Sequence, residues 1–317
     1  MFKNTLKRLG AIVMVLAMAM SVMAVTAFAE DTTIAKEYKT TAGNAVTVKP
    51  AEELTLAIQK KEAEDYSNAN YATEANIPDI TVTKAANSDN FSVVLPTNYE
   101  GIGKFTYTLQ ETAGNAAGVT YNTDTIKIVV LRTWNDDKTG VVTNVYVQNA
   151  GGTAKVDKIT NKFDTGSLTV TKELSGDFAN PNYEFDIKVT LSVPSGKEVK
   201  NTIQVNGTDV AASAWQNGKY ETTVKLKGGA SATFTNLPAG VTYEVSEEPQ
   251  DSHTVKSIDY KDTTKTISAN DTDEVIVTNE KNSSPVTGVI MNIAPYVLMV
   301  ALAGGIAFFF LRRRNAE

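Results

Sequence analysis

Tyr183-Glu184-Phe185-Asp186-Ile187-Lys188-Val189-Thr190-Leu191-Ser192-Val193 alternates apolar and polar residues over eleven positions and stops at Pro194. Side chains point to opposite faces of a strand with period two, so this stretch predicts a half-buried β-strand rather than a helix. Similar short runs recur on both sides of it, separated by turn pairs such as Asn206-Gly207, Asn217-Gly218 and Gly228-Gly229. Regularly spaced strands with such turns predict an all-β sandwich. Residues 51–64 carry Ala, Glu and Lys, which favour helix, but Leu54, Leu56 and Ile58 alternate, and we assign a strand.

The chain also repeats itself. Phe105-Thr-Tyr107-Thr-Leu109-Gln-Glu111-Thr112 parallels Val241-Thr-Tyr243-Glu-Val245-Ser-Glu247-Glu248, and Val156-Asp-Lys158-Ile159-Thr-Asn161-Lys162 parallels Val275-Ile-Val277-Thr-Asn279-Glu-Lys281. Two tandem domains follow, 30–164 and 165–282, each long enough for its own core. The Gly101-Ile-Gly103-Lys104 segment lacks the spacing of a phosphate loop and is read as a hairpin turn.

Composition removes most chemistry. The 317 residues contain no cysteine and one histidine, which excludes disulfides and thiolate metal sites and makes a His-ligated metal improbable. No cofactor and no metal are expected. His253 lies in a polar run and is read as a solvated loop residue. With 30 basic and 36 acidic residues the chain lacks the basic footprint of a nucleic-acid binder.

The two ends read as targeting segments. Lys3, Lys7 and Arg8 precede the uncharged run Leu9–Val25 and the small-x-small site Ala27-Phe28-Ala29, so residues 1–29 form a signal peptide. At the other end Ile293–Leu311 is 19 uncharged residues followed by Arg312-Arg313-Arg314, long enough to span a bilayer transiently with the arginines inside. Between the two lies an acidic, extracellular protein of 24 basic and 35 acidic residues. Ser284-Pro285-Val286-Thr287-Gly288 stands just before the apolar run. This three-part order over 283–317 resembles the cell-wall sorting signal cut by sortases of Gram-positive bacteria, with Ser284 where Leu is usual. The resemblance implies cleavage between Thr287 and Gly288 and transfer of the Thr carboxyl to an amine.

Phase along the strands singles out six polar residues. Lys36 is in register with Ile34 and Tyr38, Glu111 with Phe105, Tyr107 and Leu109, and Asn161 with Ile159 and Phe163. In the second half Lys172 shares a face with Leu168, Val170 and Leu174, Glu247 with Tyr243 and Val245, and Asn279 with Val275 and Val277. Lys and Glu are 75 residues apart both times. An inward Lys and Glu must be paired or neutral, because burying a lone charge is costly. One outcome is a buried ion pair capped by Asn. The other is chemical: a desolvated Lys loses its proton and attacks the Asn amide, ammonia leaves, and the Glu, protonated in a dry pocket, moves the protons.

The Lys…Glu…Asn order, the Tyr107–Thr112 box and the V-x-V-T-N-x-K ending resemble Gram-positive pilin subunits, most closely the streptococcal backbone pilins with isopeptide-linkage domains. The likeness covers about residues 31–288. It implies two immunoglobulin-like domains of the collagen-adhesin B type, a Lys36–Asn161 bond assisted by Glu111 and a Lys172–Asn279 bond assisted by Glu247. It also implies a non-enzymatic shaft subunit of a covalent pilus on the cell wall, whose only chemistry is self-processing. Its partners would be a sortase, further copies of the chain, accessory pilins and peptidoglycan. In such pilins the lysine that accepts the next subunit lies shortly before the bond-forming Asn of the first domain. Lys155, behind Gly151-Gly152, fits that place, and Lys158 is the second choice. A wall-anchored monomeric adhesin or accessory pilin is the other function of this class.

Overall fold

The computed structural model describes residues 32–65, 73–282 and 296–303. The signal-peptide segment and Ser284–Gly288 lie outside them. Of the apolar C-terminal run, 296–303 is helical, and among the described residues no helix is long and apolar enough to cross a membrane.

The protein is all-β. The first unit contains β1 (Thr32–Lys39), β2 (Leu54–Asp65), β3 (Thr81–Lys84), β4 (Asn90–Val94), β5 (Gly103–Glu111), β6 (Val119–Thr120), β7 (Thr125–Trp134), β8 (Val141–Asn149) and β9 (Lys158–Phe163). Their order is β6-β9-β1-β4-β3-β2-β5-β7-β8. Strand β2 belongs to both layers: Leu54 and Thr55 pair with β3, and from Leu56 onward the strand pairs with β5. A strand that changes sheets in this way folds one ribbon into a sandwich. Ile34, Leu56, Phe91, Phe105, Tyr107, Leu109, Ile128 and Val130 fill the space between the layers.

The second unit contains β10 (Thr165–Ser175), β11 (Phe185–Ser192), β12 (Ile203–Val205), β13 (Thr208–Val210), β14 (Lys219–Leu226), β15 (Ser231–Pro238), β16 (Thr242–Ser246), β17 (Thr254–Tyr260) and β18 (Thr272–Glu280). A six-stranded sheet, β13-β12-β15-β10-β18-β17, faces a three-stranded one, β14-β11-β16. The founding stretch of the sequence reading is β11, at the centre of the smaller sheet, with Phe185, Ile187, Val189 and Leu191 fully buried. Asn206-Gly207 and Asn217-Gly218 have positive φ at both residues (50° and 77°, 51° and 74°). That conformation suits a two-residue hairpin turn, and Asn-Gly tolerates it best.

Each unit closes by pairing its first strand with its last in parallel, β1 with β9 and β10 with β18. Only Asp164 separates β9 from β10. Its carboxylate accepts the N–H and hydroxyl of Thr41 (2.8 and 2.6 Å), while its carbonyl accepts from Ala239 N–H. Alongside, Ala117 N–H donates to Glu198 O and Glu198 N–H to Asn115 O, a short ladder joining the two units.

Two expectations fail. Gly101–Lys104 is not a hairpin: β4 pairs with β1 and β3, β5 with β2 and β7, so Gly101 and Ile102 form a bend that carries the chain between layers and Gly103 and Lys104 open β5. His253 is not solvated; it is 1% exposed, edge-on to the Phe185 ring and stacked on Tyr183. Its polar neighbours are turn residues: His253 N–H bonds to Gln250 O across Asp251 and Ser252, both at positive φ, and the turn delivers His253 inward at the start of β17.

Candidate functional site

Both predicted trios assemble. Lys36 on β1 donates to Glu111 Oε2 (2.5 Å) at the end of β5, and Asn161 Nδ2 on β9 donates to Glu111 Oε1 (2.5 Å). Lys172 on β10 donates to Glu247 Oε2 (2.9 Å), just past β16, and Asn279 Nδ2 on β18 donates to Glu247 Oε1 (2.5 Å). In each trio one carboxylate bridges an amine and an amide, and the Lys and Glu side chains have almost no exposure.

Register explains why the same residue types meet twice. Lys36 lies opposite Ile159 and Lys172 opposite Val277, so in both ladders the Asn is two residues beyond the Lys partner. Two residues along a strand is the same face. Lys and Asn therefore sit diagonally on adjacent parallel strands and point together into the core, while the Glu enters from the opposite sheet.

Burial holds the Lys36 ammonium below the ordinary lysine range; the Glu111 carboxylate beside it opposes this without cancelling it. The same holds for Lys172, depressed by burial against the pull of Glu247. Aromatic rings line both sites, with Lys36 Nζ 5.4 Å from the Tyr38 ring centre and 5.8 Å from that of Phe91, and Lys172 Nζ 4.5 Å from that of Phe185. An amine whose charged form burial disfavours, joined to an amide through one carboxylate bonded to both, is an arrangement suited to attack on the amide carbon.

The first site has a neighbouring charged layer that our sequence reading missed. Glu52 is buried and accepts from the hydroxyls of Tyr38 (2.7 Å) and Tyr121 (2.6 Å). Lys84 is buried too, its Nζ spread over the carbonyls of Glu52, Ala85 and Ala86. Gly114 is needed here: a Cβ on it would lie 2.6 Å from Glu52 Oε2 and 2.7 Å from the Tyr121 hydroxyl. The signal was available, since Glu52 is in phase with Leu54 and Leu56, and Lys84 with Val82.

Lys155 is exposed and lies opposite Gln148 at the far end of the β8–β9 connection, whose turn is closed by Asn149 Oδ1 accepting from Thr153 and Ala154 N–H. Lys158 opens β9, with Nζ 3.3 Å from Glu37 Oε2. Neither belongs to a trio. Among the described residues no cluster of His, Cys, Asp or Glu could hold a metal ion.

Residues 33–164 match the Spy0128-like isopeptide containing domain, and residues 166–281 match a domain of unknown function, DUF7601. A pilin of Streptococcus pyogenes serotype M1 is 29% identical over 255 residues, 74% of this chain and 73% of that one. The chain is thus similar to a streptococcal pilin over most of both lengths. A pilus tip adhesin of the same species, Cpa, is 30% identical over 83 residues, 26% of this chain and 12% of the adhesin. Among solved structures, the major pilin of S. pyogenes (21% identical, TM-score 0.47) and its E117A mutant (22%, 0.49) each align over 81% of this chain and 100% of their own. The two curated relatives are named as a pilin and a pilus tip adhesin.

Proposed function

We propose that the chain is the shaft subunit of a sortase-assembled covalent pilus, locked by two intramolecular isopeptide bonds, Lys36–Asn161 and Lys172–Asn279. The observation that carries the reading is the twin trio: one diagonal Lys–Asn register, one bridging carboxylate and one buried setting, built twice from different local sequence. The neutral amine attacks the amide carbon, Glu111 or Glu247 relays the proton from amine to leaving group, and ammonia departs. Each bond closes a loop of more than a hundred residues, worth about 5 kcal/mol by the loop-entropy argument. It also ties first strand to last, so that tension on the chain ends bypasses the sandwich.

The signal peptide sends the chain out, and the C-terminal run and its arginines hold it for a sortase. The enzyme cuts after Thr287 and joins it to Lys155 of the next copy, or to peptidoglycan at the base. The intact mass of residues 30–287 should fall short of the sequence mass by two ammonias, with one restored by Glu247→Ala. A mass equal to that of the sequence sinks the chemistry. Muramidase-released wall material should give a boiling-resistant ladder that collapses in Lys155→Ala. A ladder in both moves the acceptor to Lys158, and a single band in the wild type turns the reading to a monomeric adhesin.

A further inference from the structure

The two amides differ on the side away from the glutamate. Asn161 Oδ1 accepts the backbone N–H of Asn122 at 2.9 Å. Asn279 Oδ1 is buried and has no hydrogen-bond donor among the described residues. With Glu111 accepting on one side and Asn122 donating on the other, a single orientation of the Asn161 amide satisfies both, and its carbonyl is already polarised.

Attack by the Lys36 amine forms the C–N bond and moves the carbonyl electron pair onto Oδ1. As Cγ–Nδ2 breaks, the pair returns, and the nitrogen leaves as ammonia carrying one proton from the amine. Negative charge therefore develops on the atom that Asn122 N–H touches. A fixed donor aimed at such an atom in a dry site stabilises the transition state. We propose that the Asn122 backbone N–H is an oxyanion donor for the first crosslinking reaction, and that the second reaction runs without one. This rests on the isopeptide reading above.

The donor is built in. Asn122 follows the short strand β6, whose Val119 and Thr120 pair with Phe163 and Lys162. Its side chain spans the turn, Nδ2 donating to Thr160 O (3.3 Å) and Oδ1 accepting from Asp124 N–H (2.7 Å). Tyr121, just before it, is anchored through its hydroxyl to Glu52 and to Ala116 N–H. In the second unit the flank of the Asn-bearing strand is taken by β17, which pairs along β18 from Glu280 to Val275. That strand bulges between Val255 and Ser257, beside Asn279, yet among the described residues no N–H reaches Asn279 Oδ1.

Removing a backbone donor needs proline, which has no N–H. In full-length chains sampled after a pulse of synthesis, peptide mass mapping follows the 36–161 and 172–279 crosslinks separately. Asn122→Pro should slow the first crosslink by roughly 100-fold or more. Asn122→Ala, which keeps the N–H but loses the side-chain bonds that hold the turn, should slow it far less than Asn122→Pro, and the second crosslink should be unchanged in both. A first crosslink forming at the wild-type rate in Asn122→Pro overturns the proposal. No crosslink in the wild type overturns the isopeptide reading instead. Should the proline variant not fold, the Glu111→Gln chain, held before reaction, decides by nuclear magnetic resonance. A through-hydrogen-bond coupling from Asn122 N–H to the Asn161 side-chain carbonyl supports the donor, and a freely exchanging Asn122 amide overturns it.

Discussion

The two trios have the same residue types, the same 75-residue Lys–Glu spacing and the same diagonal register, yet their surroundings differ. Around Lys36 the protein adds a second buried pair, Glu52 and Lys84, and two tyrosine hydroxyls. Around Lys172 it adds hydrocarbon, with Phe185 beneath the amine and His253 edge-on behind that ring. Burial depresses both lysines, but at the first site Glu52 works against this and Lys84 with it, whereas at the second only Glu247 opposes burial. The comparison teaches that the strand ladder fixes how Lys, Glu and Asn meet, while the surrounding electrostatics can be met by a balanced charge layer or by plain exclusion of water.

The largest test of this comparison removes the bridging carboxylate. Glu247→Gln should abolish the second crosslink alone, and the second calorimetric transition should drop by roughly 15–25 °C, the equivalent of about 5 kcal/mol. Both transitions shifting together would mean that the two units melt as one. Next, Phe185→Ala opens the second site. It should cost about 3–5 kcal/mol in denaturant unfolding and slow the second crosslink, because water re-stabilises the Lys172 ammonium. The first crosslink should keep its rate.

A smaller effect separates the charge layer from the trio. The first crosslink should speed up as pH rises and level off once Lys36 has lost its proton, below the ordinary lysine range. The Glu52 anion favours the ammonium, so Glu52→Gln should move that rise to lower pH. Lys84 disfavours it, so Lys84→Met should move the rise to higher pH. Rates by mass mapping across pH check both signs, and identical profiles would make the layer structural only. The smallest change is Tyr121→Phe, which removes one hydrogen bond to Glu52 and one acceptor for Ala116. We expect about 1–2 kcal/mol lost from the first unit in thermal melts.

Strand phase alone made the six trio residues legible, because a charged residue on an apolar face has few explanations. The same test applied to Glu52 and Lys84 would have found them, but β2 was read for its leucines and β3 is only four residues long. His253 was misread because its neighbours in sequence belong to a tight turn, and a turn reverses the face that follows it. Asn122 was beyond reach: its contribution is a main-chain N–H, which every residue but proline carries, and only the fold shows where it points. The Gly101–Lys104 bend was misassigned because a hairpin and a crossover between layers share turn chemistry and differ only in which strands pair.

The parallel ladders that close each unit also set an order of events. Contacts far apart in sequence are slow to form, since the intervening loop must first be closed at an entropic cost. The pairing of β1 with β9, and of β10 with β18, spans a whole unit, and for a chain emerging amino end first the last strand is also the last to arrive. Lys and Asn meet across that final ladder. Under the isopeptide reading, a bond made there is a latch that drops only on a finished sandwich, and the mass of each subunit would record whether its two halves completed their folding.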